Sequence, residues 1–154
     1  MKKLKNLISY LLLPIVTVLV FSSCARSPKP IEYGKDNCAF CNMTIMDKKW
    51  GAEYVSDKGK LYKFDSIECL ISFYLKQGLS GSVTENSLWT VDYTNENGLI
   101  NAENSFYLKS ASLKSPMGLN VASFGSLNDL KKFQNNEDKV ISWLELLPIV
   151  KAGW

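Results

Sequence analysis

The sequence predicts an α+β fold of two similar ββαβ-type units, each a small antiparallel sheet packed by one helix. Two observations carry this: an internal repeat, and a pair of alternating stretches joined by a turn. Phe64 to Phe73 (FDSIECLISF) matches Phe124 to Phe133 (FGSLNDLKKF), with the first Phe, the Ser, the second Leu and the last Phe identical and Ile67 facing Leu127. Each copy reads as a strand ending at Phe, followed by a serine (Ser66 or Ser126) that caps a helix. Asp129, three residues after Ser126, makes the second start resemble a capping box.

The individual elements follow from local pattern. Trp50 to Val55 and Leu61 to Phe64 alternate as strands, and Ser56-Asp57-Lys58-Gly59 supplies the hairpin turn. In the first helix Ile67, Leu70, Ile71 and Tyr74 share one face at helical spacing, which predicts packing on a sheet. Strands are expected at Leu88 to Tyr93, Ser105 to Lys109 and Leu119 to Phe124, with Ser115-Pro-Met-Gly118 as a turn before the last. The pseudo-repeats span about 37–80 and 86–136. Glu145 to Trp154, an apolar end containing Pro148, is expected to cover an edge of the core.

The first 23 residues stand apart from this domain. Lys2, Lys3 and Lys5 precede an apolar run from Leu7 to Phe21, about 15 residues against the roughly 20 that a spanning helix needs, and Pro14 interrupts it. Ser22 and Ser23 then place small residues directly before Cys24. Residues 1–23 read as a lipoprotein signal peptide and Cys24 as the lipidated N-terminus of a protein anchored on the periplasmic side of a membrane. Polar residues 24–36, with two prolines, read as a tether, and residues 37–154 as the folded domain.

Charge follows the same division. Three of the 18 basic residues are the signal lysines, and without them the basic count equals the 15 acidic residues. A neutral mature chain gives no footprint for nucleic acid. With Cys24 assigned to lipid, Cys38, Cys41 and Cys69 remain, an odd number that argues against a pure disulfide scaffold.

The chemistry concentrates in DNCAFCNMTIM, residues 36–46, where Cys38, Cys41, Met43 and Met46 fall within nine positions in a chain with no histidine. Thiolates and thioethers are soft donors that favour Cu(I) over harder ions. Structural zinc calls for four Cys or His ligands, and this set is one short; calcium and magnesium call for clustered oxygens. Cu(I) accepts two or three soft ligands, so Cys38, Cys41 and one methionine suffice. If the segment runs extended from Cys41, Met43 shares its face and Met46 points to the other. Met117, between Pro116 and Gly118, is a second methionine candidate. Cys69, near the start of the first helix and directed away from the Ile67/Leu70/Ile71/Tyr74 stripe, reads as peripheral packing, with a ligand role as the additional alternative. Without histidine the usual catalytic triads are absent, and Asp65 and Asp92 read as cap and turn residues. A metal carrier without enzymatic activity is expected. The alternatives are an extracytoplasmic thiol-disulfide exchange protein using Cys38 and Cys41, and a lipoprotein in which these two form a structural bond.

Cys38-x-x-Cys41-x-Met43, Phe64-Asp-Ser-Ile-x-Cys-Leu, Trp89-x-Val-Asp-Tyr, and Tyr107 with Pro116-Met-Gly ahead of Ala122-Ser-Phe together resemble the NosL family, over nearly the whole chain from Cys24 to about Leu146. The resemblance implies a lipid-anchored periplasmic Cu(I) protein that passes the metal to the maturation machinery of nitrous oxide reductase, and a fold of two similar ββαβ-type units.

Overall fold

The computed structural model describes residues 27–78 and 87–153. The signal reading of residues 1–23 and the lipidation reading of Cys24 lie outside the described residues. Among the described residues, no helix is long and apolar enough to cross a membrane.

Among the described residues, seven strands form two antiparallel sheets. In chain order the elements are β1 Ala52–Val55, β2 Leu61–Phe64, helix α1 Ile67–Lys76, β3 Leu88–Val91, β4 Leu99–Asn101, β5 Phe106–Lys109, β6 Val121–Phe124, helix α2 Leu127–Lys131, β7 Lys139–Ile141 and helix α3 Trp143–Lys151. The first sheet has the order β2-β1-β3-β4 and the second β6-β5-β7. Within each, a hairpin is followed by a helix that carries the chain back to the far side of the hairpin's first strand. A strand parallel to the one it follows needs such a crossover, because no tight turn can make the connection. The two ββαβ units are therefore β1–β2–α1–β3 and β5–β6–α2–β7, with β4 and α3 added. The expected strand at Leu88 closes the first unit by pairing with β1 (Ala52↔Thr90, Tyr54↔Leu88). The sequence boundaries of 37–80 and 86–136 place that strand in the second unit, because a repeat of ten residues marks only the β2–α1 and β6–α2 junctions; its pairing with β1 places it in the first.

The repeated residues do the same work twice. Ser66 accepts a hydrogen bond from the Cys69 N–H at the start of α1, and Ser126 accepts one from Asn128 at the start of α2. Leu70 and Leu130 are both buried. Phe64 meets Phe73 at 5.3 Å between ring centroids, and Phe124 meets Phe133 at 5.6 Å. In the first unit Tyr54 and Tyr62 extend the aromatic face on which Phe73 lies; in the second, Tyr93 fills that place, touching both Phe124 and Phe133. The full capping box lies at α3, where Ser142 and Glu145 bond reciprocally, rather than at Asp129.

The opposite face of the first sheet corrects the tether boundary. Lys29 N–H donates to Glu53 Oε1 at 2.9 Å, and Lys63 Nζ reaches Pro30 O at 3.0 Å and Asp36 Oδ2 at 2.7 Å. Ile31 is buried against Gly51, where an added Cβ would stand 2.4 Å from Ile31 Cδ1. Residues 29–36, assigned to the tether by their polarity and prolines, are thus packed on the domain. A single Ile in a polar stretch has no periodicity to announce its burial.

The two units are joined at defined points. Tyr93 N–H donates to Ser123 O at 2.9 Å, and the Thr90 and Ser123 hydroxyls lie 2.8 Å apart. Helix α3 covers α1, with Trp143 edge-on to Tyr74 at 6.2 Å and Leu146 and Val150 buried. The apolar C-terminal stretch thus does cover the core, as a helix despite Pro148.

Candidate metal site

Residues 36–46 fold into a tight loop on the edge of the first sheet. Asn37 and Thr44 form an isolated antiparallel bridge; Cys38 N–H bonds to Met43 O at 2.8 Å and Asn42 N–H to Cys38 O at 2.9 Å. Asn42 makes the reversal with φ 64°, a left-handed conformation that asparagine tolerates better than most residues. Ala39 N–H to Lys63 O, at 2.8 Å, ties the loop to β2. The extended path from Cys41 to Met43 expected from sequence is therefore broken at Asn42.

The loop sets Cys38 and Cys41 against the first turn of α1, where Cys69 stands third after the Ser66 cap. The Sγ atoms of Cys38, Cys41 and Cys69 all lie within 4.8 Å of one another. All three are free thiols; Cys38 and Cys69 are buried and Cys41 is half-buried. Cys69 is thus a full member of the cluster and not a packing residue on a helix flank. The sequence reading failed because it assumed that a side chain off the apolar stripe faces outward. Every residue from Ile67 to Ile71 is buried: the sulfur loop meets the start of this helix at Cys69, and the Ser115–Leu119 segment meets it at Glu68.

The three thiols are electrostatically unequal. The Cys69 thiol donates to Cys38 Sγ, burial opposes ionisation, and the backbone N–H groups of Cys41, Asp65 and Phe40 also point at this sulfur; the balance brings Cys38 down to about 5. Donors aimed at a sulfur near a helix N-terminus are the usual means of stabilising a thiolate. Cys69, as the donor to Cys38 and buried beside it, is pushed strongly up. Cys41 is also raised, chiefly by burial, against a hydrogen bond from the Met43 N–H. Behind the cluster Asp65 is buried and raised to about 6, by burial first and then by the neighbouring Cys38 and Glu68 charges. The arrangement thus favours ionisation at Cys38 over its two neighbours, and a soft cation would displace the protons that Cys41 and Cys69 retain.

The methionines are placed differently. Met43 is 47% exposed on the loop beside Cys41, and Met46 is 68% exposed further along. Met117 is half-buried and packs against the core cluster that contains Cys38 and Cys69. Its turn is fixed by Glu68, a wholly buried residue adjacent to Cys69 that the sequence reading did not single out. Glu68 Oε1 accepts from Ser115 Oγ and, at 3.2 Å, from Leu119 N–H, the two ends of the segment that presents Met117. Gly118, with φ 85°, supplies the left-handed residue that this turn requires. Glu68 Oε2 has no hydrogen-bond partner among the described residues. Asp92 is a turn residue as expected, accepting from Thr94 and Gly125.

Among the described residues the three cysteines are the one cluster of metal-ligating Cys, Asp or Glu side chains; no carboxylate joins them. An all-sulfur set of three suits a soft, low-coordinate ion better than zinc, which takes a fourth ligand, or the oxygen-seeking calcium and magnesium. A cleft of about 790 Å³ lies in the second unit, lined by Lys109, Leu119, Asp138 and Ile149 among others, and includes none of the thiols.

Residues 30–146 match the model of the NosL family. Among solved structures the fold is similar to that of the copper chaperone NosL from Shewanella denitrificans, with a TM-score of 0.65 and 23% sequence identity over 78% of this chain and 95% of that one. Two antiparallel sheets with a few helices are common to both. No curated protein matches the sequence.

Proposed function

The chain belongs to the NosL family, and on that premise we propose that it is a carrier of Cu(I), held by Cys38, Cys41 and Cys69. The observation that carries this reading is the approach of three sulfurs within 4.8 Å with no carboxylate among them. Cuprous ion prefers such a donor set, and two or three ligands satisfy it. Met117 or Met43 would add a neutral thioether. Cys38, the thiol whose ionisation its neighbours favour, supplies negative charge at the floor of the site, and loss of the Cys41 and Cys69 protons follows as the metal binds.

The wider reading is that Cys24 carries lipid, that the domain stands on the periplasmic side of a membrane, and that the copper goes to the maturation of nitrous oxide reductase. The family and the motif order support it; so does the fold shared with a protein described as a copper chaperone. The protein performs no catalysis of its own. A thiol-disulfide exchange role is less well supported, because such a protein needs its activated thiol accessible to a partner disulfide. Here the thiol brought down is buried Cys38, while half-buried Cys41 is raised.

Anaerobic titration of the reduced protein against a chromogenic Cu(I) chelator, with native mass measurement, tests the proposal. One Cu(I) per chain is expected. Each of Cys38→Ser and Cys69→Ser should weaken binding beyond the roughly 10–100-fold typical of lost outer-sphere contacts. Unchanged affinity in the Cys38→Ser/Cys69→Ser double variant would overturn the site.

A further inference from the structure

The three sulfurs differ in a way that a simple ligand list conceals. Cys38 is 1% exposed and Cys69 is 0% exposed, whereas Cys41 is half-buried. Around Cys41, Ala39, Asn42 and Met43 are all exposed. The cluster therefore has a floor and one open edge. The loop segment that bears Cys41 carries no charge of its own: no acidic or basic residue occurs between Asp36 and Asp47. The loop that carries it is held from below, through Ala39 N–H to Lys63 O and Ile45 N–H to Asp36 O at 2.9 Å, while its Asn42–Thr44 tip faces solvent.

Resting on the carrier reading above, we propose that Cys38 and Cys69 anchor the metal and that Cys41, flanked by Met43, is the exchange ligand through which it enters and leaves. The partner that fits this edge is a copper acceptor presenting its own exposed sulfur donor. Of the three sulfurs only that of Cys41 belongs to a residue that is not fully buried, so the acceptor's donor meets the metal on the Cys41 side. An incoming thiol binds the metal as the Cys41–copper bond breaks, and its proton passes to Cys41; copper remains Cu(I) and no electrons move. Met43, nearly half exposed at the rim, offers a neutral thioether that can hold the ion during exchange without the charge that would make it hard to release. An uncharged loop also means that metal passage itself does not depend on long-range steering, so the exchange step should respond weakly to salt.

The test separates binding from exchange. The Cu(I)-loaded full chain is mixed with glutathione or with a chromogenic Cu(I) chelator, and both equilibrium affinity and transfer rate are measured for Cys38→Ser, Cys69→Ser, Cys41→Ser and Met43→Leu. A ligand that merely contributes affinity gives faster release when it is lost, because affinity changes reside mainly in the off-rate. Cys38→Ser and Cys69→Ser should behave in that way. Cys41→Ser should instead both bind more weakly and transfer more slowly, by about tenfold or more at equal acceptor concentration, since the ion is left on two buried sulfurs. Met43→Leu should slow transfer by a larger factor than it lowers affinity. Faster transfer from Cys41→Ser, or a Cys41→Ser protein that holds no Cu(I), overturns the assignment of roles while leaving the carrier reading in place. A wild-type chain that binds no Cu(I) overturns both.

Discussion

Glu68 is the most informative residue to perturb outside the thiols. It lies in the first turn of α1, between the Ser66 cap and Cys69, and reaches across 47 and 51 residues of sequence to Ser115 and Leu119. Glu68→Ala leaves the Ser115 hydroxyl and the Leu119 N–H as buried donors without their acceptor. Each such loss costs about 1–3 kcal/mol, and relief of the already unpartnered Oε2 returns part of the total, so about 2–4 kcal/mol is expected for the pair. Against the roughly 5–15 kcal/mol that holds a typical domain together, this is a large fraction. Thermal unfolding of the reduced, metal-free protein should show a midpoint lower by roughly 10 °C. Glu68→Gln, which keeps an acceptor at Oε1, should lose clearly less. The same variants test whether the Met117 turn serves the site: if it does, Glu68→Ala weakens Cu(I) binding in wild-type protein and adds little in a Met117→Leu background. A midpoint within about 2 °C of wild type would show that Ser115 and Leu119 are held by other contacts, and that Glu68 does not tie α1 to the Met117 turn.

Other perturbations address separate links. Ser66→Ala and Ser126→Ala should each cost about 1 kcal/mol in chemical denaturation, with Ser66 the larger because it is buried and Ser126 half-buried; a larger loss at Ser126 contradicts that ordering. Glu53 is raised from its ordinary 4.5 to about 7, by burial first, against donation from Lys29 and the charge of Lys63. The folded state thus binds its proton more tightly than the unfolded chain, and this contribution is complete below about pH 4.5 and lost as pH rises through about 7. The stability of wild type relative to Glu53→Gln should therefore fall between pH 5 and pH 8, and a pH-independent difference in denaturation midpoints would refute the assignment. Gly51→Ala should destabilise by about 1–3 kcal/mol through its clash with Ile31 Cδ1, with partial rescue by Ile31→Ala; no rescue in thermal unfolding would show that residues 29–36 are not packed as described. Cys24→Ala should move the intact, folded chain from the membrane to the soluble fraction on cell fractionation, and unchanged retention would count against lipidation.

Much of the fold was legible because its signals are local. The hairpin of β1 and β2, the serine caps and the repeated Phe–Ser–Leu–Phe pattern each depend on residues within a few positions of one another. What the sequence left hidden depends on contacts between distant segments. The burial of Ile31 needs Gly51, the role of Glu68 needs Ser115, and the inward direction of Cys69 needs the sulfur loop to enclose the first turn of α1. Cys38 and Cys41 could be singled out by spacing and the absence of histidine. Cys69 could not, because periodicity reports which residues face the sheet and is silent about a second and third covering layer. Met43 was read on an extended path that the left-handed Asn42 breaks, and backbone reversals at asparagine leave only a weak mark in sequence.

The comparison between the two units explains why a thiol site arises in only one of them. The residues identical in both copies are the serine cap, a buried leucine and two phenylalanines in ring contact. Where the copies differ, Glu68-Cys69 in the first corresponds to Asn128-Asp129 in the second. Helix α2 has five residues, of which only Leu130 is buried, so its first turn faces solvent and suits polar side chains. Helix α1 has ten, and its first five are buried. In the first unit the loop of residues 36–46 encloses the position equivalent to Asp129, and there a thiol meets two others. Had the covering loop carried no cysteine, Cys69 would be a small buried side chain with only packing to do. The site is therefore a property of the added layer as much as of the repeated unit. Its open edge lies on that layer too, since of the three sulfurs only Cys41, on the loop that completes the enclosure, is less than fully buried.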